Sequence, residues 1–243
     1  MIGNIFDTIV YFPIYNALVY FVDIIPGHDI GIAVILVTIL VRIVLYPVAK
    51  RAIASQMAMK KVAPEIEELK KKHKEKPEEQ AKAIFALYKE RGIKPFSGFL
   101  MLLIQIPILL GLYWVFALGG FPEVNASYLY SFVPQPATVN MQFLGLIDMQ
   151  KMSIVLAVLA TITQFVYTRL SMGPRGSATP MESVESSFSK DMAKSFDIQA
   201  RYVLPLIVGV IGLTLPAVVP LYMMTANIFM IGQEMLSGRR FRA

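Results

Sequence analysis

Apolar residues fall along the chain in long blocks, not in the alternation of a half-buried surface. Gly31 to about Ala49 is apolar except for Arg42, a second block lies between Lys94 and Glu123, and a third between Lys151 and Arg169. Stretches of about 18 or more apolar residues with few charges read as transmembrane helices. Between Arg201 and Glu234 there is no charged residue. As one helix that run would be about 48 Å long, too long for a hydrocarbon core of about 30 Å. Pro216 and Pro220, a helix-breaking pair, divide it in two. The pattern therefore predicts five spans, at 28–49, 96–118, 151–170, 202–217 and 218–236.

The segment 1–27 is also apolar, but Asn4, Asp7, Thr8, Tyr11 and Tyr15 share one stripe at helical spacing. That periodicity predicts an amphipathic helix lying in the interface with its polar stripe wet. A sixth span is the alternative. The segment lacks the positively charged start of a signal peptide, so cleavage is not expected.

Composition and charge agree with the block pattern. Charged residues make up 16% and hydrophobic ones 56%, against about 25% charged in a soluble domain, so the class is an all-α integral membrane protein. With no Cys, disulfides, thiolate metal sites and thiol nucleophiles are excluded. More than half of the 23 Lys and Arg lie between Lys50 and Lys94, others lie in 171–201, and Arg239, Arg240 and Arg242 close the chain; the loop 119–150 has none. By the positive-inside rule, the N-terminus is outside and the C-terminus, with its basic tail 237–243, is cytoplasmic. Five spans satisfy this alternation.

The insertion 50–95 is polar and helix-forming. Ile53, Met57, Ile66 and Leu69 on one arm and Ile84, Leu87 and Tyr88 on the other flank a centre at His73 to Pro77, which predicts a cytoplasmic antiparallel helical hairpin. Lys60, Lys61, Lys70, Lys71 and Lys72, with the C-terminal arginines, form either a solvated face or a docking surface for anionic partners.

Enzymatic chemistry finds no residues to carry it. His28 and His73 lie outside the spans, so no embedded Ser–His pair or His-rich metal site can form. No carboxylate lies deep in a span, and there is no phosphate-cradling loop. Neither a metal nor a cofactor is expected. The expensive residue is Arg42. Placing an Arg near a helix centre costs about 2.5–3.5 kcal/mol on insertion scales, and Lys50 is about 12 Å further along the helix. Two readings compete: snorkelling to the inner headgroups, or facing a wet cavity where water, lipid phosphate or a visiting acidic group is the partner. Thr38, Arg42 and Tyr46 share a face. Ser153, Ala157, Ala160, Thr161, Gln164 and Thr168 form a small-and-polar stripe with Tyr167 beside it, and Gln105 lies two residues before Pro107. Each can line such a cavity. The stripe Pro205, Gly209, Gly212 and Pro216 is expected to serve close helix packing.

In order and spacing, Leu40-Val41-Arg42-Ile43-Val44-Leu45-Tyr46-Pro47, Pro64-Glu65-Ile66, Leu87-Tyr88-Lys89, Lys94-Pro95-Phe96-Ser97-Gly98, Ile104-Gln105-Ile106-Pro107-Ile108, Leu112-Tyr113-Trp114, Pro216-Ala217, Leu221-Tyr222 and Thr225-Ala226-Asn227 resemble the YidC/Oxa-type membrane protein insertases. An aromatic that commonly follows the last-span Tyr is Met223 here, and a Gln often found late in the third span is Tyr167. The resemblance implies a five-helix bundle with a hydrophilic groove, open to cytoplasm and lipid, whose walls include Arg42, Thr38, Gln105, Gln164, Tyr167, Met223 and Thr225. It also implies a bacterial plasma membrane location and nascent membrane proteins as clients. Ribosome contact, the Sec translocon and the signal-recognition pathway would be partners. Lipid is the surrounding partner, and any nucleic-acid contact would not be sequence-specific. The rival from another class is a channel or transporter subunit with Arg42 as an anion-selecting residue; a structural partner of another membrane complex is a third.

Overall fold

The computed structural model describes residues 4–74, 76–94, 97–172 and 198–238. Helix α1 (Phe12–Ile24) continues a helical start at Asn4–Phe6 and a π-helical turn at Asp7–Tyr11. Pro13 stands in its first turn, where no N–H is required. The chain then turns through Gly27 and His28, both with positive φ. Asp29 starts the next helix, its Oδ1 accepting the N–H groups of Gly31 and Ile32 at 2.7 and 3.1 Å, which satisfies donors left free at a helix start.

Helix α2 (Ile30–Lys61) is 32 residues long and carries Pro47 inside it. The apolar block predicts a span ending at 49 and a hairpin from 50. The helix instead runs on to Lys61, because no Gly or Pro follows Pro47 before Pro64 and because Ala49, Ala52, Ile53 and Met59 are buried. Helices α3 (Ala63–Lys72) and α4 (Pro77–Glu90) follow, each with a proline in its first turn. They run antiparallel. Near their turn Gln80 Nε2 donates to the Lys70 carbonyl at 3.2 Å, while at the open end Arg91 donates to both carboxylate oxygens of Glu65 at 3.0 and 2.9 Å.

Helix α5 (Ser97–Leu118) contains Pro107. Beyond it, strands β1 (Gln142–Phe143) and β2 (Ile147–Asp148) pair antiparallel, Gln142 opposite Asp148 and Phe143 opposite Ile147. Leu144 and Gly145 turn the chain with φ of 53° and 72°. Helix α6 (Ile154–Met172) is followed, after the undescribed stretch 173–197, by a π-helical turn at Gln199–Val203, α7 (Leu204–Thr214) and α8 (Val218–Leu236). The break between α7 and α8 falls at Pro216, and Pro220 lies in the first turn of α8. Among the described residues, α2 and α6 are the helices long and apolar enough to cross a membrane.

The chain divides into two compact units. One comprises the described residues through Leu45, Leu103–Gln164 and Leu206–Met230. Its core joins Tyr15, Leu18, Val19 and Val22 of α1 to Ile30, Val34 and Val37 of α2, Leu112 and Val115 of α5, and Val218, Leu221 and Tyr222 of α8. Its outer faces are apolar too: Ile43 and Val44, Ile106, Ile154, Val155, Val158 and Ile162, Leu206 and Val210 are all exposed. Apolar surface on this scale fits a lipid environment. Gly212 lies so close to Ala157 that a Cβ there would meet the Ala157 Cβ at 2.9 Å, and Gly209 abuts Thr161. The small-residue stripe of α7 therefore serves helix packing, as expected. The other unit comprises the described parts of Tyr46–Leu102, Phe165–Pro205 and Ile231 onward, and holds the α3–α4 pair over a core of Met59, Val62, Ile66, Ile84, Tyr88 and Ile93.

The N-terminal stripe corrects an expectation. Asp7, Tyr11 and Tyr15, predicted to be wet, are buried, whereas Ile5 and Ile9 are 77% and 69% exposed. Tyr15 and the neighbouring Asn16 hold the loop after α5. Tyr15 donates through its hydroxyl to the Gly119 carbonyl at 3.1 Å and accepts the Asn125 N–H at 2.8 Å. Asn16 donates to the Tyr128 carbonyl at 2.9 Å and accepts the Tyr130 N–H at 2.6 Å. Its apolar face is left for the surroundings.

Candidate functional site

Helix α2 presents Thr38 and Arg42 inward, one turn apart, and Ile43 and Val44 outward. Arg42 is only 5% exposed. Its Nη2 donates to Gln105 Oε1 at 2.5 Å, and Gln105 Nε2 donates to the Tyr222 hydroxyl at 2.5 Å. The guanidinium also lies beside the Tyr222 hydroxyl. One polar chain thus links α2, α5 and α8. Where the sequence pointed to water, lipid phosphate or a visiting acidic group, Arg42 has an internal partner in a neutral amide. A hydrogen bond to a charged group contributes about 1.5–3 kcal/mol, comparable with the insertion cost of the arginine. The charge itself is unmatched, since no carboxylate among the described residues pairs with Arg42.

The polar stripe of α6 is turned inward: Ser153, Gln164 and Thr168 are buried with Ala157 and Ala160. Asn227 of α8 donates to the Thr163 hydroxyl at 3.5 Å. Thr225 is buried on α8, and Met223 packs against the apolar core of the first unit. Tyr167, half-buried on α6, falls in the other unit. The threonine hydroxyls have local partners. Thr38 donates to Val34 at 2.6 Å, Thr161 to Ala157 at 2.8 Å and Thr225 to Leu221 at 2.9 Å, each to the carbonyl one turn back. Tyr222 is the residue the sequence reading left out of the site. Its signal was a tyrosine in a run free of charge, because a buried phenol needs a hydrogen-bonding partner.

In the second unit Lys61, Lys71 and Lys72 are exposed. Lys60 departs from the docking expectation: its Nζ donates to the carbonyls of Ser171 and Met172 at 3.1 and 2.8 Å, closing the C-terminal end of α6. Those carbonyls have no partner within the helix, so the ammonium is held there. Arg239, Arg240 and Arg242 lie outside the described residues. Among the described residues no group of three or more His, Asp or Glu is placed to hold a metal ion.

A mostly helical protein with lipid-compatible outer faces and an inward-turned cation belongs to the machinery of membranes, and sequence comparison narrows the class. The sequence profile of the 60Kd inner membrane protein family matches residues 20–243. The membrane protein insertase YidC of Clostridium tetani is 30% identical over 215 residues, covering 88% of this chain and 84% of that one. A Listeria monocytogenes protein, membrane protein insertase YidC 1, is 29% identical over 236 residues, 95% of this chain and 71% of its own. The Oceanobacillus iheyensis insertase is 26% identical over 246 residues, 99% of this chain and 86% of its own. The chain belongs to this family, the YidC/Oxa insertases. It acts in the cytoplasmic membrane to insert membrane proteins, a non-enzymatic function.

Proposed function

We propose that α2, α5, α6, α7 and α8 form a five-span bundle with the N-terminus outside and the C-terminus cytoplasmic, in which Arg42, Thr38, Gln105, Gln164, Tyr167, Met223 and Thr225 line a groove for the incoming chain. The observation that carries this reading is the unmatched charge of Arg42, held by the neutral groups Gln105 and Tyr222. A nascent membrane protein must carry its polar, often acidic tail past hydrocarbon, at about 2.5–3.5 kcal/mol for a central Asp. An Arg–carboxylate contact at about 4 Å and an effective dielectric near 20 returns about 4 kcal/mol before desolvation. The two magnitudes match, so Arg42 holds the tail part-way. An inside-negative potential then draws each negative charge outward by about 2.3 kcal/mol per 100 mV, while the apolar segment passes sideways into lipid.

The exposed Lys61, Lys71 and Lys72, with the basic tail, would meet anionic partners: ribosomal RNA, or proteins of the Sec and signal-recognition pathways. Such contact would weaken with salt. The test of the groove is Arg42→Ala against Arg42→Lys, reading insertion of a client with an acidic tail. Lys is expected to retain insertion and Ala to lose it. Equal insertion by Ala and parent would end the electrostatic reading.

A further inference from the structure

The turn of the β1–β2 hairpin does nothing for the Arg42 chain, yet it is built with care. Leu144 occupies φ 53°, a conformation costly for a residue with a Cβ and favourable to Gly or Asn. It is held there from outside the turn. Leu144 N–H donates to Asp29 Oδ2 at 2.7 Å, while the other oxygen of the same carboxylate caps α2. Phe143 next to it fills the space beside Gly31, where any side chain would collide with its ring. The hairpin is thus pinned to the start of α2. What the pinning presents is apolar: Leu144 is 62% and Leu146 is 83% exposed, on either side of Gly145.

Two leucines on a rigid turn gain nothing from water. The loop 119–150 has no Lys or Arg, and the acid of β2, Asp148, is matched by Lys151 at 2.9 Å. Along the chain, exposed Met152, Ile154, Val155 and Val158 follow at the start of α6, beyond the exposed polar pair Gln150 and Lys151. From the pinning of two exposed leucines to the start of α2, a helix long and apolar enough to cross a membrane, we infer that the Leu144-Gly145-Leu146 turn is a membrane anchor whose leucines enter the acyl region of the leaflet at which α2 and α6 approach the surface. The leaflet depends on the topology proposed above; burial in lipid does not.

The chain has no cysteine, so Leu146→Cys and, separately, Leu144→Cys give single thiols for an environment-sensitive nitrobenzoxadiazole probe. The full chain is reconstituted in phosphatidylethanolamine and phosphatidylglycerol vesicles, with Val158→Cys as the lipid reference and Glu123→Cys as the aqueous one. The anchor predicts emission and quenching by spin-labelled lipid like those at Val158, with little quenching by iodide. Emission and iodide access like those at Glu123 would overturn it. So would shielding from iodide without quenching by spin-labelled lipid, which would place a protein over the turn. Labelling of Glu123→Cys in intact cells by a membrane-impermeant maleimide reads the side independently. A cytoplasmic result there would remove the topology and leave the anchor standing.

Discussion

Gln105 turns its oxygen to Arg42 and its nitrogen to Tyr222, so a single amide fixes the guanidinium without neutralising it. The distinction between orienting a charge and cancelling it can be tested. Gln105→Glu keeps the shape and adds the carboxylate that the described site lacks. An internal ion pair should then compete with an acidic client. Insertion of acidic-tailed clients is expected to fall several-fold, with little change for clients whose tails carry no acid, while the thermal midpoint in detergent stays or rises. Equal loss for both kinds of client would point to a damaged fold.

Tyr222→Phe removes one hydroxyl and leaves Gln105 Nε2 without its acceptor. An orphaned buried donor costs about 1–3 kcal/mol, so the thermal midpoint should drop by a few degrees. Tyr222→Phe combined with Gln105→Leu should lose less than the sum of the two single changes, because the pair shares one bond. Thermal unfolding in detergent measures all three.

The close approach of α7 to α6 makes Gly212→Val destabilising, by about 1–3 kcal/mol for overpacking. The Ala157 Cβ is what a new Cβ at position 212 would strike. Adding Ala157→Gly to Gly212→Ala should therefore recover part of the stability lost by Gly212→Ala. Strict additivity of the two changes would show that the clash lies elsewhere.

Lys60→Met keeps the length of the side chain and removes the ammonium that holds the Ser171 and Met172 carbonyls. A cation at a helix C-terminus contributes about 0.3–1 kcal/mol. A small loss of midpoint is expected, with faster amide exchange at the end of α6 as the sharper readout. Lys61→Met, changing an exposed neighbour, should leave that exchange unaltered.

Asp148 supplies a pH dependence. The hydrogen bond from Lys151, then that from the Gln150 N–H, holds its carboxyl below the usual carboxylate range. A group whose pKa is lowered by folding stabilises the fold above its unfolded value near about 3.9, and that contribution fades as pH falls through the folded value. The parent should therefore exceed Asp148→Asn in thermal midpoint at neutral pH, with the gap closing on acidification below about pH 4. Since Lys151 is largely exposed, salt should narrow the gap as well. A gap that persists in strong acid would mean that the amide disturbs the hairpin itself.

Much of this was legible in the residues because helical period survives any environment. The inward stripe of Ser153, Ala157, Ala160, Gln164 and Thr168 and the shared face of Thr38 and Arg42 could be read from spacing. The break at Pro216 could be read from proline chemistry. What spacing cannot reveal is which face of an amphipathic helix meets protein. The period of the N-terminal segment suits a wet polar stripe, whereas Asp7, Tyr11 and Tyr15 turn inward, and Tyr15 bonds a loop more than a hundred residues away. Lys60 was read as part of a charge run because its acceptors, the last carbonyls of α6, are likewise distant in sequence. Tyr222 escaped for the same reason: its partner Gln105 lies on another helix.

In the groove proposed above, Thr38 and Thr225, which bond one turn back along their own helices, would have a consequence for what can pass beside them. Each hydroxyl proton is already spoken for, so a greasy segment sliding by strands no donor. The oxygen keeps a free lone pair, so a hydrophilic segment can be greeted by its own amide protons. Such a wall would be indifferent to the traffic, as suits the proposed handling of clients of many sequences with one set of side chains.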